Sequence, residues 1–163
     1  MSGYVTRNWP VSVPDRPSRS IAKVALAKRQ AALVRAPLFS GLPKRQLRSI
    51  AEITVVTTYP EGAEIVKEGS IGSGFFVILD GQARVLKKNR TVARLSSGSF
   101  FGEVSLLDPG PRTATVVAET PVQCLDLAGR DLVDVLANDP VLAMRIMREM
   151  ARRLRQSEKP LIA

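Results

Sequence analysis

Two opposite charges stand out in the run Phe100–Val116, FFGEVSLLDPGPRTATV. Glu103 is the one acid breaking an apolar first half, and Arg112 is the one base in a strand-like second half. Nine positions and a DPGP turn separate them. Gly98 and Gly102 allow the backbone to turn tightly and come close to a ligand. A short helix beginning near Gly102 and Glu103 would aim free N–H groups and the positive end of its dipole at an anion. Arg112, brought back across the turn, can grip phosphate oxygens through two parallel hydrogen bonds, which lysine cannot copy. An ionised Glu103 only accepts hydrogen bonds, so it suits a pair of hydroxyls, as on a sugar, and repels a phosphate laid on it. Together these elements fit a phosphate beside a ribose, held in a compact shape. The plain alternative is a buried ion pair, which would stabilise the fold little beyond an apolar substitute.

Composition narrows the chemistry further. The chain has no histidine, which excludes a histidine base or a serine–histidine pair. Its single cysteine, Cys124, allows neither an internal disulfide nor a thiolate metal site. Metal binding would fall to carboxylates alone, and no cofactor or catalytic residue is expected. With 163 residues, 45% hydrophobic and 24% charged, the chain suits one domain with a helical appendage and a sizeable core. No apolar run reaches the ~18 residues of a membrane span, and the N-terminus lacks the apolar centre of a signal peptide. A cytoplasmic location is therefore expected. The net charge of +9 is uneven: residues 1–50 hold ten Lys and Arg against one acid, Asp15, while the rest is balanced. Such a segment can touch nucleic acid, an anionic membrane or an acidic partner; a solvated leader is the plainer reading.

The pair must be positioned by the elements around it. Residues 1–17, rich in proline, read as a mobile basic arm. Residues 18–52 read as helical: Ile21, Val24, Leu26 and Leu33 lie on a helix ending before Pro37, and Ser40 or Gly41 caps a second helix carrying Leu47, Ile50 and Ala51. The period then changes to two. Strands are expected near 53–59, 63–67, 75–80, 82–88, 91–95, 113–119 and 122–127, separated by glycine turns, which suggests a sandwich or barrel over 53–128. Two helices close the chain over 129–159. On the second, Val141, Met144, Met147, Ala151 and Leu154 form a stripe expected to pack on the barrel, with self-association as the alternative.

FGEVSLLDPGPRTATV resembles the phosphate-binding cassette of cyclic nucleotide-binding domains, here spanning 98–116. EGAEIVKEGSIGSGFFVILDGQARV and LSSGSFFGE resemble that family's strands and glycine turns, and RAPLFSGL its leading helix. The likeness covers roughly three quarters of the chain, from Pro37 to Ser157. It implies a mainly β fold: a double-stranded β-helix, or jelly-roll, barrel with N-terminal helices and C-terminal lid helices. It also implies the ligand contacts. Glu103, with the Gly102 amide nearby, takes the ribose 2′-hydroxyl, and Arg112 pairs with the exocyclic oxygens of the cyclic phosphate. Val104 and the backbone of Ser105, Thr113 and Ala114 complete the cradle. Val85, Ala93, Leu95 and Phe101 line the base side, and Arg153 or its neighbour Leu154 caps the base. For Val85, Ala93 and Leu95 a plain core role is the competing reading. For Arg153, in an arginine-rich stretch, it is a solvated or partner-facing helix.

The resemblance implies a receptor and not an enzyme, with cyclic AMP as the expected ligand and cyclic GMP as the alternative. Thr113 resembles the hydroxyl that some members place against guanine, but one such contact is worth only about 1 kcal/mol. Ligand would draw the post-barrel helices inward until the last one closes over the base. The state would pass to a separate protein through the basic N-terminal segment or the last helix. Ala163 follows directly on that helix, so no helix-turn-helix is expected within this sequence. A transcription-regulator relative touching DNA, or a ligand-free adaptor that forms homodimers, are the competing readings.

Overall fold

Runs of β-branched and aromatic residues at period two become strands, and helices gather at both ends of the chain. The computed structural model describes residues 20–22, 24–36, 38–102, 105 and 108–157. The expected arm over 1–17 and residues 158–159 of the expected lid lie outside them, as do Glu103 and Val104. In chain order the described residues form β1 (Ser20–Ala22), α1 (Leu26–Arg35), α2 (Lys44–Glu52), β2 (Thr54–Tyr59), β3 (Glu64–Val66), β4 (Ile71–Gly72), β5 (Phe75–Asp80), β6 (Ala83–Lys87), β7 (Arg90–Leu95), β8 (Phe100–Phe101), β9 (Gly110–Pro111), β10 (Thr115–Ala118), β11 (Val122–Leu127), α3 (Gly129–Asn138) and α4 (Pro140–Ser157).

The strands make a five-stranded sheet ordered β1-β2-β11-β5-β8, a four-stranded sheet ordered β3-β10-β6-β7 and a small β4-β9 ribbon, with every pairing antiparallel. The five-stranded sheet is apolar on both faces. Because side chains alternate along a strand, Phe75 and Val77 join one core and Phe76 and Ile78 the other. The first core lies on the helix side. Leu33, Phe39, Ile50, Leu132, Leu142 and Ile146 pack there against Phe75, Leu125 and Leu127. The second lies between the sheets and holds Tyr59, Ile65, Phe76, Ile78, Phe101, Val116, Val122 and Cys124. Burial pushes the Cys124 thiol well above its ordinary pKa, and the nearby Asp126 charge adds to this.

The turns and helix ends follow local chemistry. Lys88 and Asn89 join β6 to β7 with φ of 49° and 61°, the two positive values of a tight hairpin turn. Ala36, just before Pro37, is extended and ends α1. Asp139 breaks α3 from α4 with non-helical φ and ψ of −138° and 85° before Pro140, and its Oδ1 accepts from the Leu142 N–H at 3.1 Å. Its other carboxylate oxygen, Oδ2, accepts from Gln46 Nε2 at 2.8 Å, tying the break to α2.

Three expectations are corrected. Residues 20–22 are not helical: they pair with β2, Ile21 opposite Thr57, and the helix starts only at Leu26. The open edge of β2 supplies backbone partners that an isolated helical turn cannot match. Neither Ser40 nor Gly41 caps α2; Pro43 precedes its first residue, with no side-chain cap. The stripe of α4 faces outward. Leu142 and Ile146 are buried, whereas Val141, Met144, Met147 and Leu154 are exposed. Leu142 and Ile146, four apart, form the face that meets the helix-side core.

Candidate functional site

Arg112 is positioned by backbone pairing. In the β4-β9 ribbon Ile71 lies opposite Pro111 and Gly72 opposite Gly110. Next to it the Arg112 N–H donates to the Ser70 carbonyl and the Gly69 N–H to the Arg112 carbonyl, each at 2.8 Å. The side chain then runs inward and is only 7% exposed. Its Nη2 donates to the Gly74 carbonyl at 3.0 Å, and its guanidinium carbon stands 5.9 Å from the centre of the Phe76 ring. Phe76 stacks on Phe101 at 4.8 Å and 13°. A cation over an aromatic face beside a carbonyl dipole is held electrostatically as well as sterically.

Glycines make the room. A Cβ on Gly72 would stand 3.0 Å from Arg112 Nη2, and one on Gly102 would stand 3.0 Å from Nη1 and collide with the Gly74 carbonyl oxygen. Gly102 also has φ of +90°, which side chains with a Cβ rarely adopt. The guanidinium therefore lies against backbone from two segments, Gly72–Gly74 and Gly102. That close approach was legible for Gly102, through its place beside Glu103. Gly72, Gly74 and Phe76 were missed as members of the site. The alternation of glycine and serine in IGSGFF, just ahead of an aromatic pair, was the available signal.

The remaining candidates fall into place around this centre. Ser105 is buried. Thr113 is exposed and Ala114 half-buried, both in a bend just ahead of β10 and not in the strand itself. Phe101 is buried in the inter-sheet core, and Val85 and Leu95 pack half-buried against that same core. Val85 lies opposite Ala93, and Leu95 opposite the fully buried Ala83. Ala93 is exposed. Thus the inner face of the four-stranded sheet is covered at β10 and open at β7. Phe76, Phe101, Val85 and Leu95 share one apolar cluster, and Arg112 reaches it over the Phe76 ring. Leu154 is exposed on α4, and the side chain of Arg153 lies outside what the structure describes.

A concavity of about 410 Å³ lies between α2 and α3 and is bordered by Arg45, Gln46, Asp131, Asp134 and Asp139. Three carboxylates make it a poor home for a phosphate, so the chemistry favours the Arg112 end. The Leu142 N–H, the Gln46 amide and the Arg45 charge hold the Asp139 carboxyl below its usual range. Among the described residues no group of His, Cys, Asp and Glu is arranged to hold a metal ion. Nor is any described helix long and apolar enough to cross a membrane.

Two facing antiparallel sheets, helices on one outer side and a buried arginine in a glycine cradle describe a mainly β ligand-binding domain of the jelly-roll type. The profile of the family described as "Cyclic nucleotide-binding domain" matches residues 56–139, and the chain belongs to that family. A cGMP-dependent protein kinase of Eimeria tenella is 39% identical over 125 residues, 76% of this chain and 12% of the kinase. The Cyclic AMP receptor protein of Thermus thermophilus is 32% identical over 127 residues, 75% of this chain and 59% of the receptor. The crystal structure of the N-terminal domain of a transcriptional regulator from Streptomyces coelicolor superposes with a TM-score of 0.72 at 31% identity, covering 81% of this chain and 98% of that domain. The chain spans less than two thirds of the length of either full-length relative.

Proposed function

We propose that this chain is a cyclic nucleotide receptor, with cyclic AMP as its ligand, that passes its ligand state to another protein. The buried Arg112 guanidinium, set between glycine backbones and over the Phe76 ring, carries this reading. Arginine there offers paired donors to the exocyclic phosphate oxygens. Glu103 accepts from the ribose 2′-hydroxyl beside the Gly102 amide. Val104 and the backbone of Ser105, Thr113 and Ala114 line the phosphate, and the apolar faces of Phe101, Val85, Ala93 and Leu95 receive the base. The base lies toward β7, where the inner face has room for it. Binding is reversible in this reading: the guanidinium, the carboxylate and the backbone donors each act on the nucleotide as hydrogen-bonding groups.

The switch follows from where α4 is tied. It packs on the body through Leu142 and Ile146 and turns at Asp139, while the described residues of its last two turns are exposed. Nucleotide that binds more tightly with α4 drawn over the base shifts the helix by that difference in affinity. Arg153 or Leu154 supplies the cap in that closed state. Relatives named for cyclic GMP and for cyclic AMP both match the chain, so base preference rests on measurement.

Titration calorimetry with cyclic AMP, cyclic GMP and 5′-AMP tests the proposal. Micromolar or tighter binding of a cyclic nucleotide is expected, about −8 kcal/mol or better. Arg112→Ala and Glu103→Ala should each lose most of it, and Arg112→Lys should not restore it. Equal heats for the wild type and both alanine variants, with the fold intact by circular dichroism, overturn the site.

A further inference from the structure

Apart from Leu154, the outward stripe of α4 is not used by the nucleotide site as described. Met144, Met147 and Ala151 follow one another at steps of three and four, the spacing of a helix-pairing seam. All three are exposed, as is Val141 one turn earlier. The helix already has a different core face, formed by Leu142 and Ile146 with Met150 beside them. Past Met150 every described side chain of α4 is exposed. A helix end without packing gains little stability from its own backbone bonds.

Charge limits what can lie on this stripe. Residues 140–157 contain Arg145, Arg148, Arg152, Arg153 and Arg155 against a single acid, Glu149. Arg148 and Arg155 fall on the helical positions bordering the seam. Among the described residues neither forms an ion pair, whereas Arg152 reaches Glu149 at 3.4 Å. Pairing of two such helices would bring like charges within a screening length of about 8 Å. A membrane-inserting face would be broader and carry aromatic or leucine side chains, and this helix is already committed to the domain on its other side.

Resting on the receptor reading above, we infer that Val141, Met144, Met147 and Ala151 form the output surface, and that its occupant is an acidic amphipathic helix of a partner protein. The partner sets apolar side chains into the seam and carboxylates against Arg148 and Arg155. Two methionines suit such a surface because their side chains adapt to the partner's shape.

The probe is a fluorescent peptide of about three heptads with leucine at the seam positions and glutamate beside them. Controls are the same composition scrambled and a lysine version. Binding of the full chain to the acidic peptide is expected to be at least about tenfold tighter than to either control and to weaken with salt. Met144→Glu with Met147→Glu should abolish it, and Arg148→Glu with Arg155→Glu should reverse the preference toward the lysine peptide. Both double variants should bind cyclic AMP as the wild type does. Failure of the receptor reading would instead appear as absent nucleotide binding in the wild type. Equal binding of acidic and scrambled peptides overturns the inference. So does self-association of the wild type that Met144→Glu with Met147→Glu disrupts, and so does capture by anionic phosphatidylserine vesicles in preference to the peptide.

Discussion

The two cores of this molecule share β5 yet are built to different ends. On its helix side, Phe75 and Val77 meet large side chains from α1 to α4, and the cluster is closed: Phe39, Phe75, Ile50, Leu132 and Leu142 have no exposure at all. Between the sheets, Phe76 and Ile78 meet smaller partners such as Ala63, Ala83 and Ala118, and the cluster thins toward the half-buried Val85 and Leu95. Arg112 lies on that second side, over Phe76. One strand thus anchors a filled core with one face and supports the Arg112 side chain with the other. On the proposed reading, the alternation of a single strand divides stability from recognition.

Neighbouring phenylalanines provide the most forceful way to break that division. Phe75 touches Phe39 edge-on at 5.7 Å and Phe100 at 5.6 Å. Phe75→Ala is expected to destabilise the fold by about 3–5 kcal/mol, as for a large aromatic removed from a closed core. The nucleotide affinity of whatever remains folded should be unchanged. Phe76→Ala should cost less stability, since its cluster is already looser, but should weaken cyclic AMP binding as the Arg112 side chain loses its aromatic support. Urea titration followed by calorimetry below the unfolding midpoint separates the two. If both variants lose affinity in proportion to stability, the division of roles is wrong.

Those paired phenylalanines also show what could be read from the sequence. FFVILD is continuously apolar over its first five residues, as a strand buried on both sides requires, and the strands over 54–59 and 122–127 follow from period two and flanking turns. The family resemblance, carried by FGEVSLLDPGPRTATV, singled out Arg112, which the fold sets over Phe76. Long-range terms were not legible. Residues 20–22 carry an ambiguous local pattern that only the free edge of β2 resolves. The rotation of α4 depends on which of two apolar sets, Leu142 with Ile146 or Met144 with Met147, meets a core assembled from distant segments. Gly72 and Gly74 read as turn residues, since nothing local says that an arginine from position 112 will lie against them.

A smaller change probes the setting of Arg112 without touching its side chain. Gly102→Ala adds one methyl where φ is +90° and where the Gly74 carbonyl and Arg112 Nη1 already stand close. Backbone strain of about 1–3 kcal/mol is expected. More informative is the direction of relief: movement of residue 102 displaces the Arg112 guanidinium, so cyclic nucleotide affinity should fall more than tenfold while the helix-side core stays native. Gly41→Ala is the control, since no atom lies within reach of its added methyl. Should the two substitutions affect binding equally, the close approach at Gly102 has no part in recognition.

The mildest test concerns the tie between the closed core and α4. Asp139 accepts from the Leu142 N–H at the start of α4 and from Gln46 of α2, and these bonds hold its carboxyl below the usual range. A group whose folded pKa is depressed contributes stability that is complete above its unfolded pKa, about 3.9 for aspartate. That contribution disappears as pH falls through the lower folded value. Asp139→Ala should therefore lower the melting temperature at neutral pH, and the gap to wild type should narrow only below about pH 4. Asp139→Asn keeps a good cap but cannot ionise, so it should lie between the two and change less with acid. Because Asp139 joins α4 to α2 and not to Arg112, nucleotide affinity should change only through the ease with which α4 moves. A gap that closes already near neutral pH would show that the carboxylate is not what holds the junction.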